Sequence, residues 1–226
     1  MGDEADRGVV LEYATQWPDG SYHPIPKTGL EWWDGNSKIG ERILEQWDSW
    51  ELPHRKWIVD HLGDASSLYE IGCGVGANLR LIQKYRPDIR LGASDGVYSY
   101  CEWVANHCNI HVEVEQLPSI TAPRGPWDVV LVNYVLSYLE PDEAKATLQR
   151  IGQIAPKRVI ILEPAPSNVR GEGLVCPGGM GNEGVVCRQW CHNWPQWCRD
   201  LGWMWQDTSR LRVKSLNLAV NYSLRD

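Results

Sequence analysis

The 226-residue sequence has no phenylalanine and only three methionines, yet it carries thirteen tryptophans and nine tyrosines. Nothing in the sequence accounts for that bias. No apolar run approaches the roughly 18 to 20 residues that would span a bilayer, so no membrane-spanning segment is expected. The opening Met1-Gly2-Asp3-Glu4-Ala5-Asp6 lacks the apolar stretch of a signal peptide, which makes a cytoplasmic location the expectation. Positive charge is also short: 22 Lys and Arg face 29 Asp and Glu, a net charge of −7. The imbalance is N-terminal, with thirteen acids and six bases in residues 1–64 against sixteen of each in the remainder. A chain that grips phosphate backbones shows a basic face, so nucleic acid is not an expected partner. The seven cysteines include no C-x-x-C pair, and an odd number without an export signal reads as reduced thiols. Cys176, Cys187, Cys191, His192 and Cys198 could in principle bind zinc. However, Cys187, Cys191 and Cys198 recur at steps of four and seven, as core residues of a helix do, and no metal is expected.

What is present reads as one main α/β domain with added segments. Residues 1–35 are rich in turn formers (Trp17-Pro18-Asp19-Gly20, His23-Pro24-Ile25-Pro26, Trp32-Trp33-Asp34-Gly35) and predict irregular chain, a lid or arm. Helical periodicity follows over 39–50 and again over 53–62, where Trp57, Ile58 and Leu62 share a face. Residues 1–62 are thus an N-terminal arm and helical cap, and 63–226 the main domain. From residue 66 short apolar runs alternate with amphipathic stretches: strands at 67–71, 89–93, 110–114, 127–133 and 158–163, and helices at 77–85, 98–107 and 141–154. That alternation is the signature of a doubly wound, mostly parallel sheet. Pro141 with Asp142 and Glu143 marks a helix start. A glycine-rich loop at 164–185 is placed to contact a substrate. A helix near 186–201, bent at Pro195, is expected after it, then an antiparallel hairpin from 203–213 and the strictly alternating 216–224.

The chemistry concentrates where the first strand, Leu68-Tyr69-Glu70-Ile71, runs into Gly72-Cys73-Gly74-Val75-Gly76-Ala77-Asn78-Leu79 and then a helix. Glycines stand where the backbone must turn tightly and approach a ligand, and the helix N-terminus faces that ligand. Some twenty residues on, Ala93-Ser94-Asp95-Gly96 ends the next strand with a carboxylate able to accept two ribose hydroxyls. Two adjacent strand ends thus make one nucleoside site. Gly72, Gly74 and Ala77 also satisfy the looser dinucleotide pattern. Glu70 argues against a pyrophosphate, which its charge would repel, and for a cationic ligand.

Leu68 to Gly76 resembles, position by position, the first motif of the class I (Rossmann-like) S-adenosylmethionine-dependent methyltransferases. The likeness continues through Asp95, through the run from Trp127 to Leu139, and through Val159 to Pro164. It implies a Rossmann-like α/β fold with a mostly parallel, seven-stranded sheet, closed by a C-terminal antiparallel hairpin. It further implies S-adenosyl-L-methionine as cofactor. Gly72, Cys73, Gly74 and Gly76 would wrap its methionine part, with Glu70 and Asn78 near it. Asp95 and Gly96 would hold the ribose, Glu115 or Gln116 would read the adenine, and Asn133 and Tyr134 would stand beside the methyl group. In-line methyl transfer to an oxygen or nitrogen is the expected reaction, with Tyr134, Glu163 and His23 as candidate bases. A small-molecule acceptor is favoured because the added segments are too short for a separate recognition domain. Asn133-Tyr134-Val135-Leu136 departs from the Asp-Pro-Pro-Tyr-like motif of nucleic-acid amino methyltransferases. A protein acceptor stays open, as does a non-catalytic regulator that keeps the pocket and uses its tryptophan-rich flanks as a partner surface. Oligomeric state is not predicted.

Overall fold

The computed structural model describes residues 14–16, 22–24, 53–120, 126–154, 156–164, 174–176, 189–192, 194–211 and 217–223. In chain order the elements are β1 (Ala14–Gln16), β2 (Tyr22–Pro24), α1 (Pro53–Asp60), β3 (Ser67–Ile71), α2 (Ala77–Tyr85), β4 (Arg90–Asp95), α3 (Tyr98–Cys108) and β5 (His111–Val114). They continue with β6 (Val129–Asn133), a 3₁₀ turn (Leu136–Tyr138), α4 (Pro141–Ile154), β7 (Arg158–Pro164), β8 (Leu174–Cys176), β9 (Gln189–Cys191), α5 (Trp194–Asp200), β10 (Met204–Leu211) and β11 (Asn217–Ser223).

Five strands form a parallel sheet in the order β7-β6-β3-β4-β5, so β3 is central and chain order reverses beside it. Beyond β7, β11 pairs antiparallel with it and β10 with β11. Strand side chains alternate between faces, and the two cores follow that period of two. Leu68, Ala93, Val129, Leu131, Ile160 and Leu162 bury one face beneath Trp57, Ile58, Leu79, Ile82 and Val104 from α1, α2 and α3. Tyr69, Ile71, Val130, Val132, Val159 and Ile161 bury the other beneath Ala144, Leu148 and Ile151 of α4 and Trp194, Trp197 and Cys198 of α5. The buried flank tryptophans Trp57, Trp194, Trp197 and Trp203 are therefore core residues. At the amino ends of the strands Asp128 draws three chain segments together. It accepts from the Ser66 amide (2.7 Å) and hydroxyl (2.6 Å) and pairs with the exposed Lys157 (2.7 Å).

Three expectations change. The arm is not wholly irregular, because β1 and β2 form a short antiparallel pair. The 164–185 loop contains β8, which pairs antiparallel with β9. No continuous helix runs from 186 to 201, since Gln189–Cys191 is strand and the helix begins only at Trp194. Pro195 thus sits in the first turn, where its missing N–H would have no intrahelical partner anyway, rather than at a bend. The helix expected over 39–50 lies outside the described residues, as does most of the arm and of the 164–185 loop.

Candidate functional site

The carboxyl ends of β3, β4 and β6 meet where the sheet order reverses, the place where parallel sheets bind ligands. The loop after β3 needs its glycines. Gly72, Gly74 and Gly76 have φ of 69°, 52° and 77°, a region where a Cβ collides with its own backbone. Each faces something different. A Cβ at Gly72 would stand 2.4 Å from Val135 Cγ2, and one at Gly76 would stand 2.9 Å from Val104 Cγ2, whereas one at Gly74 would meet nothing within 4 Å among the described residues. Gly74 therefore turns the open side of the loop outward. The loop is tied to β4 by the Gly72 and Cys73 amides, which donate to Ser94 O at 2.8 and 3.0 Å. Cys73 itself is a buried thiol, pushed up by desolvation and by the nearby Asp95 and Glu70 charges, and so unreactive.

Asp95 ends β4 facing this loop. Its Oδ2 accepts the Gly74 amide at 2.8 Å and its Oδ1 the Val97 amide at 2.9 Å, so the carboxylate both holds the loop and closes the turn that leads into α3. Desolvation raises its pKa, and the backbone bonds oppose that rise. A carboxylate offers about four lone-pair directions, and with the Val97, Gly74 and Gly96 amides on it capacity remains for a further donor such as a ribose hydroxyl. Gly96 lies half-buried beside it.

Behind the loop is a buried polar chain. Asn78, in the first turn of α2, donates from Nδ2 to Glu70 Oε1 at 2.6 Å, and its Oδ1 accepts from Arg55 Nε at 3.1 Å. All three residues are buried, and Glu70 Oε2 has no donor among the described residues. Burial pushes the Glu70 carboxyl up to about 8; the Asn78 bond and the Arg55 charge pull it down, while Asp95 adds to the rise. Burial likewise lowers Arg55 to about 10, against the pull of Glu70. Arg55 was not among the candidates read from the sequence. The signal existed: residue 55 lies three before Ile58 and seven before Leu62, on the same helical stripe.

At the end of β5, Glu115 is buried and its amide donates to Asp95 O at 2.9 Å, whereas Gln116 is exposed. The Tyr69 hydroxyl donates to Glu113 Oε2 at 3.1 Å and reaches Glu115 Oε2 at 3.5 Å, so Glu113 joins the pair at this end of the site.

Beyond β6, Asn133 and Tyr134 are half-buried at the strand end. Asn133 Oδ1 has no donor among the described residues, and Tyr134 holds a φ of 56°, rare for a bulky residue. Burial and the Glu163 charge push the Tyr134 phenol up to about 12. Glu163 is turned toward the backbone. Its Oε1 accepts the Val135 and Leu136 amides at 2.6 and 2.8 Å and its Oε2 the Ser137 amide at 3.2 Å, and burial raises it to about 7 against those three bonds. His192 completes the same turn from the other side, its Nε2 lying 2.9 Å from Leu136 O and 3.0 Å from Leu139 O. It thus serves as a donor to this turn, while Cys198 is buried in the core. His23 lies in β2 opposite Thr15, and its side chain is outside the described residues.

No protein-family model and no curated protein sequence matches the chain. Solved structures do. The chain is similar to 1,6-didemethyltoxoflavin-N1-methyltransferase of Burkholderia thailandensis, determined with its substrate and S-adenosylhomocysteine, at a TM-score of 0.63 and 16% identity over 87% of each chain. It is similar to magnesium protoporphyrin IX methyltransferase of Synechocystis PCC 6803 with bound S-adenosylmethionine, at 0.55 and 16% over 84% of this chain and 83% of that one. For the plantazolicin methyltransferase BpumL, solved with a pentazolic substrate analogue and S-adenosylhomocysteine, the values are 0.58 and 12% over 87% and 98%. The chain thus has the α/β, Rossmann-like fold of the class I S-adenosylmethionine-dependent methyltransferases.

Proposed function

We propose that the protein is an S-adenosylmethionine-dependent methyltransferase that methylates an oxygen or nitrogen of a small molecule. The observation that carries this reading is the open side of the left-handed glycine loop at Gly74, flanked by Asp95 with spare acceptor capacity and by Glu70 with an unpaired buried oxygen. These groups fit a ligand with a nucleoside at one end and an amino acid at the other. In this reading Gly72, Cys73, Gly74 and Gly76 line the methionine end together with Glu70 and Asn78. Asp95 and Gly96 take the ribose, Glu115 or Gln116 the adenine, and Asn133 and Tyr134 border the methyl group. The seven-stranded sheet with its terminal hairpin belongs to the same reading, supported by the antiparallel pairing of β7, β11 and β10.

The bound cofactor would supply an activated methyl group, so the chain's own task is mainly to align the acceptor and exclude water. Tyr134, with its phenol near 12, is protonated at neutral pH and suits donation to the acceptor better than proton abstraction. Glu163 is engaged by three amides. Both facts favour an acceptor nucleophilic without prior deprotonation; a hydroxyl acceptor would need a base, for which His23 is the candidate. Three structural relatives act on small or peptidic compounds, which supports that acceptor class.

Titration calorimetry with S-adenosylmethionine, S-adenosylhomocysteine and NADH tests this. Wild type should bind the first two and not the third, and Asp95→Ala should lose binding, while Asp95→Asn, which retains one acceptor oxygen, should lose part of it. Absence of binding by the wild type sinks the proposal.

A further inference from the structure

Burying a guanidinium is costly unless it is paired and bonded, and an apolar residue of like volume often serves a core at least as well. Arg55 is nonetheless placed on the buried stripe of α1, 5% exposed, with its Nε committed to Asn78. That bond decides which way the Asn78 amide faces. With Oδ1 taken by Arg55, Nδ2 must point at Glu70, and the 2.6 Å bond that results fixes Glu70 Oε1. The consequence falls on the other oxygen. Glu70 Oε2 is held in a site with 1% of the residue exposed, and no donor among the described residues reaches it. A buried acceptor left without a donor is costly, which gives a ligand that brings a donor to this oxygen a binding advantage. The donor that suits a carboxylate flanked by the glycine loop is an ammonium.

We propose that Arg55 is a positioning residue for the amino-acid end of the cofactor, acting through Asn78 to orient Glu70 so that its second carboxylate oxygen receives the ligand's ammonium. The inference rests on the cofactor reading above. Burial keeps the Glu70 carboxyl near 8 in the free protein, and an arriving cation favours its ionised form.

Two ligands separate this role from plain packing: S-adenosylhomocysteine, and 5′-methylthioadenosine, which has the nucleoside and thioether without the amino-acid end. Both are titrated by calorimetry into wild type, Arg55→Met and Arg55→Lys. Arg55→Met should weaken S-adenosylhomocysteine by at least about tenfold and methylthioadenosine by less than about twofold. Arg55→Lys keeps the charge without the planar Nε donor and should recover part of the loss. Parallel weakening of both ligands, or unchanged S-adenosylhomocysteine binding, overturns the proposal. Should circular dichroism show Arg55→Met unfolded, the ratio of the two affinities in Arg55→Lys decides by the same criteria. Binding of neither ligand by wild type marks failure of the cofactor reading itself, and the proposal falls with it.

Discussion

Gly72 and Gly74 share a left-handed backbone, yet their substitution should not cost the same. At Gly74 an added methyl enters empty space, so Gly74→Ala should lose only the conformational penalty, about 1 to 2 kcal/mol, while crowding the side of the loop that a ligand would approach. At Gly72 the same methyl would stand 2.4 Å from Val135, and the overlap adds about 1 to 3 kcal/mol. Urea denaturation should therefore rank Gly72→Ala below Gly74→Ala, and calorimetry should show Gly74→Ala folded but weakened for S-adenosylhomocysteine. The reverse stability order would mean that the loop relaxes away from Val135. Glycine identity at these positions was readable from the sequence. Which glycine has its Cβ side uncovered was not, because that depends on Val135 and Val104, sixty-three residues after Gly72 and twenty-eight after Gly76.

The turn after β6 shows how an element is held from outside itself. Residues 135–139 satisfy only part of their own backbone, the Tyr138 amide donating to Val135 O and the Leu139 amide to Leu136 O. Glu163 from β7 takes three of the amides, and His192, between β9 and α5, reaches two of the carbonyls. Desolvation lowers the His192 pKa, so the ring is neutral and its Nε2–H is the donor. His192→Ala leaves the carbonyls without this buried donor and should cost about 1 to 3 kcal/mol at pH 7, measured by urea denaturation. The extra hydrogen exchange should be confined to 135–139 and the elements packed on them. Exchange spread evenly over the sheet would contradict the clamp. Sequence reading placed His192 in a helix with Cys191 and Cys198, and erred because the spacing of four and seven is only a local pattern. The pairing of β9 with β8 overrides it, and the helix starts after His192, not before.

Over the whole molecule, stability should depend on pH in a dome. Glu70 and Glu163 have folded pKa values raised to about 8 and about 7, so they favour the folded state fully below the unfolded carboxyl value and lose that contribution as pH rises through those figures. Asp128 has the opposite sign. Its bonds to Lys157 and Ser66 hold it well below the usual carboxylate range, and its contribution is present above the unfolded value and lost as pH falls. His192, lowered by burial, is also lost on the acid side. Thermal melts should therefore peak near about pH 5 to 6, and Glu70→Gln, which resembles the protonated acid, should flatten the decline toward pH 8. A melting temperature that climbs from pH 6 to 8 would show that these carboxyls are ionised in the fold. The sequence by itself determined the parallel α/β order, the glycine loop and the acid at the end of β4, because alternation of two, helical periodicity and glycine at left-handed positions are local properties of the chain. Only the tertiary structure decided that Arg55 and Asn78 orient Glu70 and that Glu163 and His192 hold the turn after β6. It alone left Glu70 Oε2 without a donor among the described residues and the Cβ side of Gly74 uncovered by them. Those are contacts between segments far apart in sequence, created when two helical layers close on one sheet, and no spacing along the chain encodes which buried polar atom will be left without a partner.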